Sequence, residues 1–174
     1  VLDLPTGERP GEAQVRVGQE RRQVTGQISL RLPPGTYPLE ALAEGATVEG
    51  PKEVRLPPGG KETVLIRLRP QVDLTLTPET QRHPEGERAR ITLRATTPYP
   101  GLLPGELVLE LPPELEPLTP TRLTGPLAKD RPLELVVEAK GPVGTYALRG
   151  SLEPYGLSRP ASVEFYRKAT FTLR

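Results

Sequence analysis

The chain has 174 residues, with 23 Pro and 17 Gly against 5 Tyr, 2 Phe and no Trp, Cys or Met, so its core must be built from Leu, Val and Ile. The absence of Cys excludes disulfides, thiolate metal sites and cysteine nucleophiles together. A net charge of +1, with 23 Lys and Arg interspersed among 22 Asp and Glu, gives no electrostatic basis for a nucleic-acid partner or an anionic membrane, and no apolar run approaches the roughly 18 residues that span a bilayer.

In chain order, Ala13–Val17 is the first alternating run and predicts an opening or edge strand. Val24–Leu32 follows, with Val24, Ile28, Leu30 and Leu32 on one face and Thr25, Gln27, Ser29 and Arg31 on the other, which predicts one continuous strand with a wet face. Pro33-Pro34-Gly35 ends it, since Pro cannot donate to a ladder and Gly supplies the turn dihedral. Tyr37, Leu39 and Ala41 continue as the partner strand. The stretch 39–45 is rich in helix formers, but it lacks an N-cap and follows a hairpin signal, so strand followed by loop is expected. Glu53–Leu56 and Glu62–Arg69 are the next strands, parted by Pro57-Pro58-Gly59-Gly60, and Pro70 closes this part.

The string from Leu30 through Leu-Pro-Pro-Gly-Thr-Tyr to Ala41, with the Val-x-Ile-x-Leu strand at 64–68, resembles PEGA-type and carboxypeptidase-regulatory-like domains. The resemblance covers roughly residues 13 to 70. It implies a small transthyretin-like sandwich acting as a structural or binding appendage, with no catalytic residues to carry over.

The second half opens with Val72, Leu74 and Leu76 pointing inward, then a charged loop at His83–Glu87 and the alternating strand Ala89–Ala95. Glu106–Leu111, Leu133–Ala139 and a strand from Gly144 to Leu152 follow, with a long polar stretch, Pro113–Pro132, expected to cross between sheets. A last run extends from Ala161 to Leu173, where Arg167 interrupts the alternation and suggests a bulge or a hairpin at 166–168. Short strands at roughly ten-residue spacing with turn signals between them predict a sandwich. Leu76-Thr77-Pro78, Gly86–Leu93, Leu109–Leu115 and Gly144-Thr145-Tyr146 resemble bacterial Ig-like modules of cell-surface proteins over about residues 71 to 174. Thr96-Thr97 stands where that family often has Asn.

The expected fold is therefore all-β: two tandem β-sandwiches, residues 1–70 and 71–174. Gly-Thr-Tyr-x-Leu recurs at 35–39 and 144–148. This places Tyr37 and Tyr146 as buried corner tyrosines whose hydroxyls bond backbone, with Gly35 and Gly144 shaping their turns. Tyr99, Tyr155 and Tyr166 are the remaining candidates for an interaction surface, two of them in loops beside Pro100 and Gly156.

Chemistry is sparsely provided for. His83 is the only histidine, which excludes metal sites of two or more His and reads as a solvated loop residue beside Pro84. Asp3, Asp73 and Asp130 are too dispersed for a calcium loop, and the glutamates occupy polar slots of strands and turns. No enzyme activity, cofactor or metal is expected.

The resemblances imply a rigid spacer or assembly segment of an extracellular, cell-envelope or virion-surface protein, whose partners are protein subunits or other domains of its own chain. Two further readings stay open: a polysaccharide-binding accessory module, and a two-sandwich chaperone capturing an extended strand. The start at Val1 suits a segment of a longer chain. The absence of Cys, Met, Trp and Asn, with Pro dense in loops, suits a thermophile, and the excess of Arg over Lys suits a GC-rich genome as well as heat.

Overall fold

The computed structural model describes residues 1–3, 12–83 and 86–166. Among these there is no helix. The strands in order are β1 (Leu2–Asp3), β2 (Glu12–Val17), β3 (Glu20–Thr25), β4 (Gly35–Leu42), β5 (Ala46–Glu49), β6 (Glu53–Leu56), β7 (Ile66–Pro70), β8 (Asp73–His83), β9 (Gly86–Thr96), β10 (Leu103–Glu110), β11 (Glu116–Pro117), β12 (Arg122–Leu127), β13 (Leu133–Lys140), β14 (Gly144–Glu153) and β15 (Leu157–Phe165). They form four sheets in the orders β1-β7-β5, β3-β2-β4-β6, β12-β10-β14-β15 and β11-β13-β9-β8. The fold is all-β, as the alternation predicts; β1 with β7 is a parallel pair and the other registered pairs are antiparallel.

The chain divides into two compact units. The first holds Val1–Val72 together with Thr97–Pro104 and Pro126–Arg131; the second holds Asp73–Thr96, Gly105–Gly125 and Pro132–Arg174. The backbone thus passes from one unit to the other five times, and β10 and β12 give residues to both.

In the first unit Ala13, Val15, Val24, Leu39, Ile66 and Leu68 are buried, and Tyr99, Leu103, Leu127 and Ala128 join them from the two later segments. The N-terminal stretch supplies few large side chains, so these later residues complete the core. In the second unit, every other residue of β9 and β13 is buried: Ala89, Ile91, Leu93 and Ala95, with Leu133, Leu135, Val137 and Ala139. Leu107, Leu109, Leu148, Leu152, Val163 and Phe165 of the other sheet are buried too. Period-two side-chain alternation buries one face of each sheet and wets the other.

Three expectations are corrected. Val24–Leu32 is not one strand: β3 stops at Thr25, because Gly26 turns the chain with φ of 81°, and 27–33 run on without a ladder. Likewise the ladder expected from Glu62 begins only at Ile66. Just before it, the carbonyl of Val64 accepts the Val1 amino group at 2.9 Å. In both segments alternation names the buried face but supplies no partner backbone. The polar stretch 113–132 contains β11, paired with β13, and β12, next to β10, so it does move between sheets but contributes a strand to each. The expected irregularity at Arg167 and the end of the last run lie outside the described residues.

Candidate functional site

The repeated Gly-Thr-Tyr stretch builds the same device twice. Tyr37 donates its hydroxyl to the carbonyl of Pro33, and Tyr146 donates to the carbonyl of Pro142 at 2.7 Å, each four residues upstream. Gly35 and Gly144 adopt nearly identical φ values, 157° and 155°. Each lies close to its tyrosine ring: a Cβ on Gly144 would come within 3.4 Å of the Tyr146 hydroxyl. A carbonyl left without a ladder partner at the turn thereby gains a donor.

The rings have different neighbours. Tyr37 packs on Gly18, where a Cβ would sit 2.9 Å from its Cδ1, and Tyr146 meets Phe165 in a tilted pair at 5.9 Å between centroids. Both tyrosines are half-buried and not fully buried as expected, since the hydroxyl end sits in an exposed turn.

Tyr99 departs furthest from expectation. Proposed above for an interaction surface, it is fully buried at 0 % exposure and belongs to the first unit. The cause is the β4–β5 turn, which presents Gly45 in a left-handed conformation (φ 67°). A Cβ there would be 2.4 Å from the carbonyl carbon of Pro98 and 2.5 Å from the amide nitrogen of Tyr99. Bonds around this approach fix the segment. The amide of Gln71 donates to the Gly45 carbonyl at 2.8 Å, and Thr97 Oγ1 donates to the Gln71 carbonyl and accepts from the Tyr99 amide at 3.1 Å. The amide of Lys129 donates to the Tyr99 carbonyl at 3.1 Å, and Lys129 Nζ binds Glu44 Oε1 at 2.5 Å. Its ammonium pKa is raised above the ordinary lysine value, first by that hydrogen bond and then by the charge of Glu44.

The other two tyrosines differ. Tyr166 is 60 % exposed and donates its hydroxyl to Glu164 Oε2 at 2.7 Å, while Tyr155 is half-buried in the β14–β15 turn. Tyr99, being buried in the first unit, offers no surface, while Tyr155 and Tyr166 belong to the second unit. Among the described residues no cluster of three or more His, Asp or Glu could hold a metal. The His83 side chain lies outside the described residues.

Two of the cavities in the first unit bear on function. One, of about 150 Å³, is apolar and lies in the core among Val15, Val24, Leu39 and Ile66, rimmed by Ile28, Leu30 and Leu32 of the unpaired segment. The other is a depression of about 680 Å³ on the outer face of β3-β2-β4, lined by Arg16, Arg21, Arg22, Gln14, Gln23, Glu40 and Leu42. The sequence reading passed over this second cluster. A signal was present: Gly18-Gln19 is a two-residue hairpin loop with Gly at the first central position (φ 61°). That turn sets Val17 opposite Glu20 and therefore Arg16 opposite Arg21.

The chain matches no family model, no curated protein and no solved structure.

Proposed function

We propose that the chain is a non-catalytic structural or interaction module, a rigid spacer or assembly segment of an extracellular, cell-envelope or virion-surface protein of a thermophile. In this reading a transthyretin-like sandwich of the PEGA type is followed by an Ig-like one. The observation that carries it is the interleaving of the two units. Two segments from the second half, 97–104 and 126–131, complete the core of the first unit, so that no single flexible linker joins two independent beads. A core completed by segments from distant parts of the chain ties the unfolding of the first unit to the rest of the sequence, which suits a spacer.

The test is single-molecule stretching of the full chain between its ends, alongside calorimetry. One unfolding event and one coincident thermal transition are expected. Two events of unequal length, or two separated transitions, would overturn the coupling on which the proposal stands.

A further inference from the structure

The outer face of β3-β2-β4 carries charges that the fold itself does not use. Register puts Arg16 of β2 directly between Arg21 of β3 and Glu40 of β4, and Gln14 between Gln23 and Leu42. Side-chain alternation sends these six residues to one face, opposite the buried Ala13, Val15, Val24 and Leu39. Two guanidinium groups on directly paired positions, with Cβ atoms about 5 Å apart, repel each other.

Glu40, opposite Arg16, offsets part of this repulsion without closing an ion pair. Arg22 is held by Glu20 at 2.9 Å, and Arg16 donates its Nε to the Gly18 carbonyl at 3.0 Å, which leaves its outer nitrogens unused. Among the described residues no carboxylate reaches ion-pair distance of Arg16 or Arg21. Gln23 donates to Glu12 Oε2 at 2.5 Å and keeps its amide oxygen free, and Leu42 beside it is 73 % exposed.

We propose that this face binds an acidic polysaccharide. A uronate carboxylate sits between Arg16 and Arg21, sugar hydroxyls bond the amides of Gln14 and Gln23, and the apolar side of a pyranose ring lies on Leu42. Charge complementarity selects an anion. The rest of the chemistry selects a sparsely charged glycan. A densely charged phosphate backbone needs many cationic contacts, and this face offers two Arg, Arg16 and Arg21, against one Glu, since Arg22 is paired with Glu20. An extended acidic peptide would seek the main-chain groups of a sheet edge, here the outer side of β3, whereas Arg16, Gln14 and Glu40 lie on the face of the sheet and present only side chains. With no aromatic among the lining residues, affinity comes from charge and hydrogen bonds and is salt-sensitive. This inference goes beyond the structural role proposed above and does not rest on it.

The test titrates the full chain with oligogalacturonate, with a neutral cello-oligosaccharide, poly-glutamate and inorganic sulfate as separate arms, followed by calorimetry and amide chemical shifts. Oligogalacturonate should bind at low salt, shift amides of β2, β3 and β4, and weaken as salt rises. The R16Q/R21Q variant should bind about tenfold or more weakly, the worth of one charge-assisted contact. Arg16 also holds the Gly18 turn, so Glu40→Gln serves as a second variant: exposed and unpaired, it should tighten binding about two- to threefold by removing a repelling carboxylate. Absence of oligogalacturonate binding, or affinity unchanged in both variants, overturns the proposal. Equal or tighter binding of poly-glutamate overturns the glycan assignment, and sulfate binding as well as the oligosaccharide does so too.

Discussion

Gly150 of β14 faces Leu93 of β9 across the second unit so closely that a Cβ on the glycine would stand 2.4 Å from Leu93 Cδ1. Both positions are buried, and Gly150 pairs with Leu109 in its own sheet. The glycine is therefore set by the leucine it must admit. Gly150→Ala should destabilise the protein by about 1–3 kcal/mol through overpacking. Combining it with Leu93→Ala should cost less than the sum of the two single changes, by about 1 kcal/mol. Urea denaturation of the four proteins measures this, and simple additivity would remove the claim that these two residues compete for one space.

Gly45→Ala meets backbone and not a movable side chain, at a residue with left-handed φ. Its cost should reach about 1–3 kcal/mol or more, and it should expose Tyr99. Nitration by tetranitromethane, mapped by peptide mass spectrometry, reads the second effect, because the buried Tyr99 ring should be protected in the wild type and modified in the variant. Unchanged nitration would mean that Tyr99 is held by something other than the β4–β5 turn.

The two corner tyrosines should behave alike on loss of the hydroxyl. Tyr37→Phe and Tyr146→Phe each remove one donor to a proline carbonyl in a partly exposed turn, and each should cost about 0.5–1.5 kcal/mol. Denaturation midpoints suffice, and a cost near zero for one of them would show that water replaces that hydroxyl fully.

Alkaline stability should carry the mark of Lys129. Its folded-state pKa is raised, so the Glu44 pair contributes fully below the unfolded lysine pKa, and the contribution is lost as pH rises through the folded value. Side chains 51 % and 61 % exposed keep the effect small and screened by salt. Denaturation from neutral into the alkaline range should fall more steeply for wild type than for Lys129→Met. Parallel curves would detach the shift from stability.

Much of the fold was legible because period-two alternation is strong in this chain. β9, β13 and β14 lie where Ala89–Ala95, Leu133–Ala139 and the second Gly-Thr-Tyr run placed them. Four things were not legible, for physical reasons. Ile28, Leu30 and Leu32 alternate like a strand yet have no ladder, because alternation encodes a face and pairing needs a neighbour's backbone. β12 was hidden by Gly125 and Pro126 within it, which weaken its apolar signal. The Arg16–Arg21 pair required register, a property of two strands together, and only the Gly18-Gln19 turn hinted at it. Tyr99 looked like a loop aromatic because the glycine that covers it stands more than fifty residues earlier in the chain.

The five backbone passages between the units also bear on how such a protein can be inherited. A module with contiguous boundaries can be duplicated or shuffled by copying one stretch of gene. Here a break at Pro70 would part Tyr99, Leu103 and Leu127 from the core they complete. The smallest contiguous stretch that keeps the first unit's core whole therefore runs past Ala128 and takes in much of the second unit as well.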